Sequence, residues 1–193
     1  MARGRLVVLS GPSGVGKDTV IQAVRRRLPE LQRPVAYTTR APRPGEEDGR
    51  EYSFVSPDEF LRLREGGEFL ETATVHGNLY GTSKRRVEEL LQRGRDVLLK
   101  IDVQGASQLQ ADQPDATFIF LAPPSREVLL ARLRERATES PAELARRTED
   151  ADRELAQSGW YHHLVVNDEV ERAADEVFRI LTGDRARSPR LPQ

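Results

Sequence analysis

The chain has 193 residues, 37% hydrophobic and 32% charged, with 30 Lys and Arg against 31 Asp and Glu for a formal net charge of −1. That length fits one domain with enough apolar content for a core, and the near-zero charge supplies no global attraction to nucleic acid or to a membrane, so any anion site must come from local clustering. The absence of cysteine removes disulfides, thiolate nucleophiles and cysteine zinc sites together, and it suits a reducing, cytoplasmic setting.

Taken in chain order, the run Leu6–Ser10 reads as a buried strand, too brief for a signal peptide or membrane span. Thr19–Leu28 reads as the helix after it. Residues 35–85 carry short strands, many turns and a helix near Pro57–Arg64, the signature of an inserted substrate-binding region. Asp96–Ile101, Thr117–Leu121 and His163–Val166 are further strands, the second stopped by Pro123-Pro124. Helices are predicted over Ser125–Arg136, Pro141–Gln157 and Val170–Leu181. Strands alternating with amphipathic helices predict an α/β fold, a parallel sheet with flanking helices. The expected organisation is one domain over 1–182, with a core at 1–34 and 86–182 and a mobile lid at about 134–147. A polar tail, 183–193, is expected to be disordered.

The segment Gly11-Pro12-Ser13-Gly14-Val15-Gly16-Lys17 lies between the first strand and the first helix. In that context G-x-x-x-x-G-K has a mechanism: glycines let the backbone approach a ligand, and main-chain N–H groups at a helix N-terminus face phosphate oxygens. Lys17 then reaches the β- and γ-phosphates as a point charge. Asp18 stands where Ser or Thr normally follows the lysine, with Thr19 next. A carboxylate is a hard-oxygen ligand, so Asp18 either holds Mg2+, directly or through water, or caps the helix.

Downstream, Thr38-Thr39-Arg40-Ala41-Pro42-Arg43-Pro44-Gly45-Glu46 is followed by Gly49 and Tyr52. Two guanidiniums in a turn fixed by prolines, with a tyrosine hydroxyl nearby, make a rigid phosphate-binding set. Together with Phe69-Leu70-Glu71, Gly77 to Thr82, Ile101 to Gly105 and Val166-Asn167-Asp168, these strings make the chain resemble the guanylate kinase family from the phosphate loop to about residue 182.

The resemblance implies a P-loop nucleoside monophosphate kinase fold with an inserted GMP-binding region. It implies that Arg40, Arg43, Tyr52 and Tyr80 hold the GMP phosphate, and that Glu71 reads the base with Gly81, Thr82 and Asp102 close by. The chemistry agrees. An ionised carboxylate only accepts hydrogen bonds, and guanine offers N1–H and the 2-amino group side by side, whereas adenine N1 is an acceptor. By the same resemblance Arg132, Arg136 and Arg147 are lid arginines that clamp the transferring phosphoryl group, and Asn167 lies near the donor base at the carboxyl end of a strand. Besides Asp18, three further positions depart from the family pattern: Ala36 where a serine contacts the base, Ala137 in place of glycine, and Lys100 in place of an acid. Lys100 and Asp18, each unusual alone, are expected to form a compensating pair.

The expected reaction is transfer of a phosphoryl group from ATP to GMP or dGMP, with Mg2+ as cofactor, by a monomer or homodimer with no nucleic-acid or membrane partner. A sugar-phosphate kinase acting on ribose 1,5-bisphosphate is the close alternative, but such a substrate has no base for Glu71 to read. A non-catalytic scaffold module is the distant one, disfavoured by the presence of Lys17. His76, His162 and His163 lack metal spacing and are read as turn or surface residues. Arg25-Arg26-Arg27 reads as a solvated helix end, and Trp160-Tyr161 as packing beside the last strand.

Overall fold

A computed structural model describes residues 2–75, 77–135 and 141–183. His76, Arg136, Ala137 and the tail from 184 lie outside the described residues. The chain forms two compact units. One comprises Met1–Leu6, Leu31–Leu99 and Gln104–Ala116; the other comprises Val7–Glu30, Lys100–Val103 and Thr117 onward.

The second unit is built on parallel strands. β1 (Leu6–Ser10) pairs with β7 (Thr117–Ala122), Val7 opposite Thr117 and Ser10 opposite Phe120, and β7 pairs with β8 (His163–Val166), Ile119 opposite His163. Continuous apolar runs in β1 and β7 are what a strand covered on both faces requires. Helix α1 (Lys17–Arg27) buries Val20, Ile21, Ala23 and Val24, and α7 (Val170–Thr182) buries Ala173, Ala174, Val177 and Leu181, each set a single helical stripe. Arg25, Arg26 and Arg27 are exposed in the last turn of α1 as expected, and Arg27 also lies 4.0 Å over the Phe178 ring and pairs with Asp175. Trp160, the last residue of a 3-10 turn, stacks on the following Tyr161 ahead of β8, and both meet Phe118 edge-on, while His162 Nδ1 accepts the Phe118 N–H at 3.2 Å. The helices α5 (Arg126–Glu135) and α6 (Pro141–Ala156) complete this unit, tied by a two-pronged pair between Arg126 and Asp152.

The first unit carries a second sheet in the order β3-β2-β5-β4, formed by β2 (Ala36–Thr38), β3 (Tyr52–Phe54), β4 (Phe69–Val75) and β5 (Asn78–Ser83). Helix α2 (Pro57–Glu65) starts as its sequence dictates: Ser56 accepts the Glu59 N–H, Pro57 takes the first helical position and Asp58 and Glu59 complement the dipole. Strand β6 (Val97–Lys100) ends this unit's segment, with Lys100 already in the other.

Two helices, α3 (Lys84–Gln92) and α4 (Val103–Asp112), are absent from the sequence expectation. The highly charged Lys84-Arg85-Arg86 string hides the Val87 and Leu91 stripe of α3, and the first turn of α4 contains Val103 and Gly105, poor helix formers offset by burial of Ala106 and Leu109. Helix α4 also covers the free edge of β4. Gln108 accepts the Thr72 N–H at 3.1 Å and donates to the Thr72 carbonyl at 2.6 Å, and Gln104 donates to the Thr74 carbonyl at 3.3 Å.

Phe60 is fully buried and stacks on Phe69 with centroids 4.6 Å apart, both against the backbone of Gly81. A Cβ at Gly81 would stand 2.9 Å from Phe69 Cδ1 and 3.0 Å from Phe60 Cζ. Gly81→Ala is therefore expected to lower stability by about 1–3 kcal/mol, read as a shift in the denaturation midpoint, with Phe60→Ala larger at about 3–5 kcal/mol.

Candidate active site

The loop between β1 and α1 is set by its glycines. Gly16 is the N-cap residue of α1 at φ 97°, ψ 25°, and Gly11 lies at φ 144° with room for no Cβ, since one would approach the Leu121 carbonyl oxygen to 2.2 Å. Lys17 Nζ turns back onto the loop and donates to the Gly11 carbonyl at 2.5 Å and the Pro12 carbonyl at 3.1 Å. Desolvation lowers its pKa to about 8, against the opposing pull of Glu154. Ser13, Gly14 and Val15 complete the loop, and Thr19 is exposed in the first turn of α1.

Asp18 lies in that first turn, while the cap itself is Gly16, a residue with no side chain. Lys100 Nζ, at the end of β6, donates to both Asp18 oxygens, at 2.8 and 3.1 Å, so the two departures from the family pattern meet. Strand β6 stops at Lys100, two residues before Asp102. Asp102 is half-buried and within electrostatic reach of Lys17. Among the described residues no three His, Asp or Glu side chains gather into a metal cage. Magnesium does not need one, because it keeps several waters and takes one or two carboxylates together with substrate phosphates. Asp18 and Asp102, both acting on the Lys17 charge, are hard oxygen donors that fit this ion.

Three of the predicted second-unit residues contact the loop itself. Arg132 Nη1 donates to the Val15 carbonyl at 3.3 Å and its Nη2 to the Asn167 carbonyl at 3.1 Å. Arg147 Nη2 donates to Ser13 Oγ at 3.3 Å. Asn167, 2% exposed, donates from Nδ2 to the Val15 carbonyl at 2.7 Å. Sequence reasoning missed a fourth residue. Glu154 accepts the Ser13 N–H at 3.2 Å, and burial raises its carboxyl pKa against the attraction of Lys17. Its signal was the seven-residue spacing from Arg147 along α6, with Ala151 buried between them: one helix face.

The first unit gathers a separate set. The buried Thr38 hydroxyl accepts the Arg40 N–H at 3.2 Å, and Thr39 exchanges bonds with Leu79, its N–H to the carbonyl at 3.0 Å and its Oγ1 from the N–H at 2.9 Å. Arg40 thereby projects from a fixed turn. Its guanidinium lies 5.5 Å from the Tyr52 ring centroid and donates from Nη2 to both Glu46 oxygens at 2.9 Å. Tyr80 meets the Tyr52 ring edge-on at 5.8 Å, beside Arg40. Glu46 also accepts the Arg43 N–H at 2.8 Å, while the Arg43 residue is exposed. Partial burial alone would raise the Glu46 carboxyl, but the Arg43 amide and the Arg40 guanidinium hold it below the usual carboxylate range.

Glu71 and Thr82 belong to the same unit. They are opposite each other across β4 and β5, and Thr82 Oγ1 donates to Glu71 Oε1 at 2.5 Å. Glu71 is 5% exposed and Thr82 3%, an unusual depth for a carboxylate. Gly81, beside them, admits the Phe60 and Phe69 rings.

The guanylate kinase family profile matches residues 3–184. A guanylate kinase of Nocardia farcinica is 49% identical over 96% of this chain and 97% of its own length, and one of Carboxydothermus hydrogenoformans is 42% identical over 99% and 94%. The crystal structure of guanylate kinase from Anaplasma phagocytophilum superposes with a TM-score of 0.79 at 35% identity, covering 95% of this chain and 87% of that one. The fold is that of a P-loop nucleoside monophosphate kinase.

Two outcomes follow from the loop chemistry. Lys17 is charged at neutral pH and loses its proton as pH rises through about 8, so kcat/KM for the triphosphate, which reports free enzyme, is expected to fall on that alkaline limb. The limb in kcat is expected at higher pH, because bound phosphate anions favour the ammonium. In a double-mutant cycle on kcat/KM, Asp18→Ser and Lys100→Ala are expected to be non-additive. The coupling is about 0.2–1 kcal/mol, small because Asp18 is 62% exposed.

Proposed function

The chain belongs to the guanylate kinase family and transfers a phosphoryl group from ATP to GMP, releasing ADP and GDP, and we infer which of its residues hold each substrate. The amides of Gly11 to Lys17 take the triphosphate oxygens, and Lys17 exchanges the Gly11 and Pro12 carbonyls for the β- and γ-phosphates. Arg40, Arg43, Tyr52 and Tyr80 take the phosphate of GMP.

The observation that carries the acceptor assignment is Glu71: a carboxylate buried to 5% exposure, fixed by Thr82, in the same unit as the Arg40 cluster. Guanine satisfies it with two donors. Adenine would leave it facing an acceptor, a mismatch on the order of 10⁴-fold by analogy with other buried polar readers. Gly81, next to Thr82, lets β5 pass close over the Phe60 and Phe69 rings, Ala36 provides no hydroxyl to the base, and Asp102 keeps the base-side role that the family resemblance implies. No residue here demands a 2′-hydroxyl, so dGMP is accepted as well.

The acceptor phosphate is already anionic near neutral pH, so its oxygen attacks the γ-phosphorus without a protein base. The bond to the bridging β-phosphate oxygen breaks, and its electrons remain on ADP. The protein's part is positioning and charge compensation over the transferring oxygens. Lys17 supplies this from the loop, and Arg147 from α6; Arg136 is assigned the same role from the family pattern. Mg2+ would be held by Asp18, directly or through water, in competition with its Lys100 pairing, and would supply further charge neutralisation on the phosphates. Phosphoryl transfer also requires exclusion of water that would otherwise take the phosphoryl group, the role the family resemblance gives to the 134–147 lid, of which residues 136–140 lie outside the described residues. No helix among the described residues is long and apolar enough to cross a membrane, and a chain without cysteine fits the cytoplasm.

The test is a coupled assay offering ATP with GMP, AMP, CMP and UMP in parallel. GMP is expected to be preferred, and Glu71→Gln to lower kcat/KM for GMP on the order of a hundredfold, because an amide meets one guanine donor with its own. AMP turnover equal to that of GMP in the unaltered enzyme would remove the role given to Glu71.

A further inference from the structure

We propose that Asn167 is a positioning residue for the phosphate loop: by holding the Val15 carbonyl, with Arg132 as its second brace, it aims the Gly16 N–H at the donor phosphates. The inference rests on the reading of this loop as the donor site and names what sets its geometry.

Three observations converge on one peptide plane. Asn167 Nδ2 and Arg132 Nη1 both donate to the Val15 carbonyl, at 2.7 and 3.3 Å. Because that carbonyl only accepts, the amide atom facing it is the donor nitrogen, which fixes the orientation of the side chain. Arg132 Nη2 also donates to the Asn167 main-chain carbonyl at 3.1 Å, closing a triangle of Arg132, Asn167 and Val15. Finally, Asn167 packs directly against the next residue: a Cβ on Gly16 would stand 2.5 Å from Nδ2.

The consequence follows from amide geometry. No cis peptide bond occurs in the described chain, and in a planar trans peptide the C=O of one residue and the N–H of the next point in opposite directions. Drawing the Val15 carbonyl onto Asn167 therefore turns the Gly16 N–H the other way, outward at the α1 N-terminus where the helix dipole favours an anion. Gly16, at φ 97°, is free enough to rotate, so without the brace nothing local fixes the plane. Asn167 reaches this position because it follows β8, and its own N–H is bonded to the Ala122 carbonyl at 2.8 Å at the end of β7. The sheet end thus sets the loop.

A base-reading Asn167 and a loop-positioning Asn167 differ in which ligands they affect. Asn167→Leu is close in size, uncharged and donates nothing; Asn167→Ala serves if the leucine variant folds poorly. Binding of ATP and of inorganic tripolyphosphate, which has no base, is measured by calorimetry, KM for GMP by coupled assay, and the Gly16 amide by 15N NMR in the nucleotide-free protein. The expected result is a similar loss for ATP and tripolyphosphate, roughly tenfold for one buried hydrogen bond, with KM for GMP unchanged and the Gly16 amide resonance shifted. Loss for ATP alone with tripolyphosphate unaffected, an unmoved Gly16 resonance, or a lower melting temperature with all affinities intact would each overturn the proposal. Unaltered protein that bound neither ATP nor tripolyphosphate would instead overturn the donor reading on which it rests.

Discussion

A loop that turns its amides toward a ligand must turn carbonyls inward, and each of those carbonyls needs a donor once it leaves water. In this chain the donors are identifiable. Lys17 serves Gly11 and Pro12, and Asn167 with Arg132 serves Val15. Much of the second unit is arranged around that requirement. Helix α1 supplies the lysine, β8 ends on the asparagine, and α5 carries the arginine. The carbonyl partners of Lys17 differ from the others in kind. A lysine whose pKa is drawn down to about 8 by desolvation gains most from exchanging neutral carbonyls for phosphate anions.

Helix α6 adds charge to the same loop. Arg147 and Glu154 both contact Ser13, one through its hydroxyl and one through its N–H. Opposite charges on one helix face thus converge on a single residue. The half-buried Glu154 carboxyl is pushed up by desolvation despite the nearby Lys17, so its negative charge is costly there. Asp18 and Lys100 show the alternative: an exposed acid in the first helical turn, favoured by the dipole and matched by a well-covered lysine at the end of β6.

The first unit solves a different problem, that of holding a guanidinium ready without letting it collapse. Arg40 has its backbone fixed by Thr38, its ring neighbours in Tyr52 and Phe54, and its charge met bidentately by Glu46. Glu46 simultaneously fixes the Arg43 amide, so one carboxylate organises both arginines of the turn. A planar fork held in this way loses little further freedom on meeting a phosphate. The Glu71–Thr82 pair gets its depth from the β4–β5 register, in which the two residues are direct partners after an irregularity between Phe69 and Glu71.

What the sequence by itself determined was the local and the periodic. Strand, glycine-rich loop, lysine and helix announce a phosphate loop because each residue type is needed by the backbone there. The strands Leu6–Ser10 and His163–Val166 match the expected ranges, and most helices do so to within two residues, because burial demands apolar runs and stripes. Helices α3 and α4 escaped because tertiary burial, not intrinsic preference, forms them. The strings proposed to bind phosphate were legible as motifs, but most of their supports were not. That Glu46 holds Arg40 and that Glu154 reaches Ser13 are decided by how strands and helices pack, whereas the Lys100–Asp18 pair, 82 residues apart, was already expected from two residues each unusual alone. The clearest case is Asn167. Its residue type and its place after a strand are readable, but only the folded chain puts its amide nitrogen beneath Val15, because parallel pairing of β1, β7 and β8 brings together residues 152 positions apart.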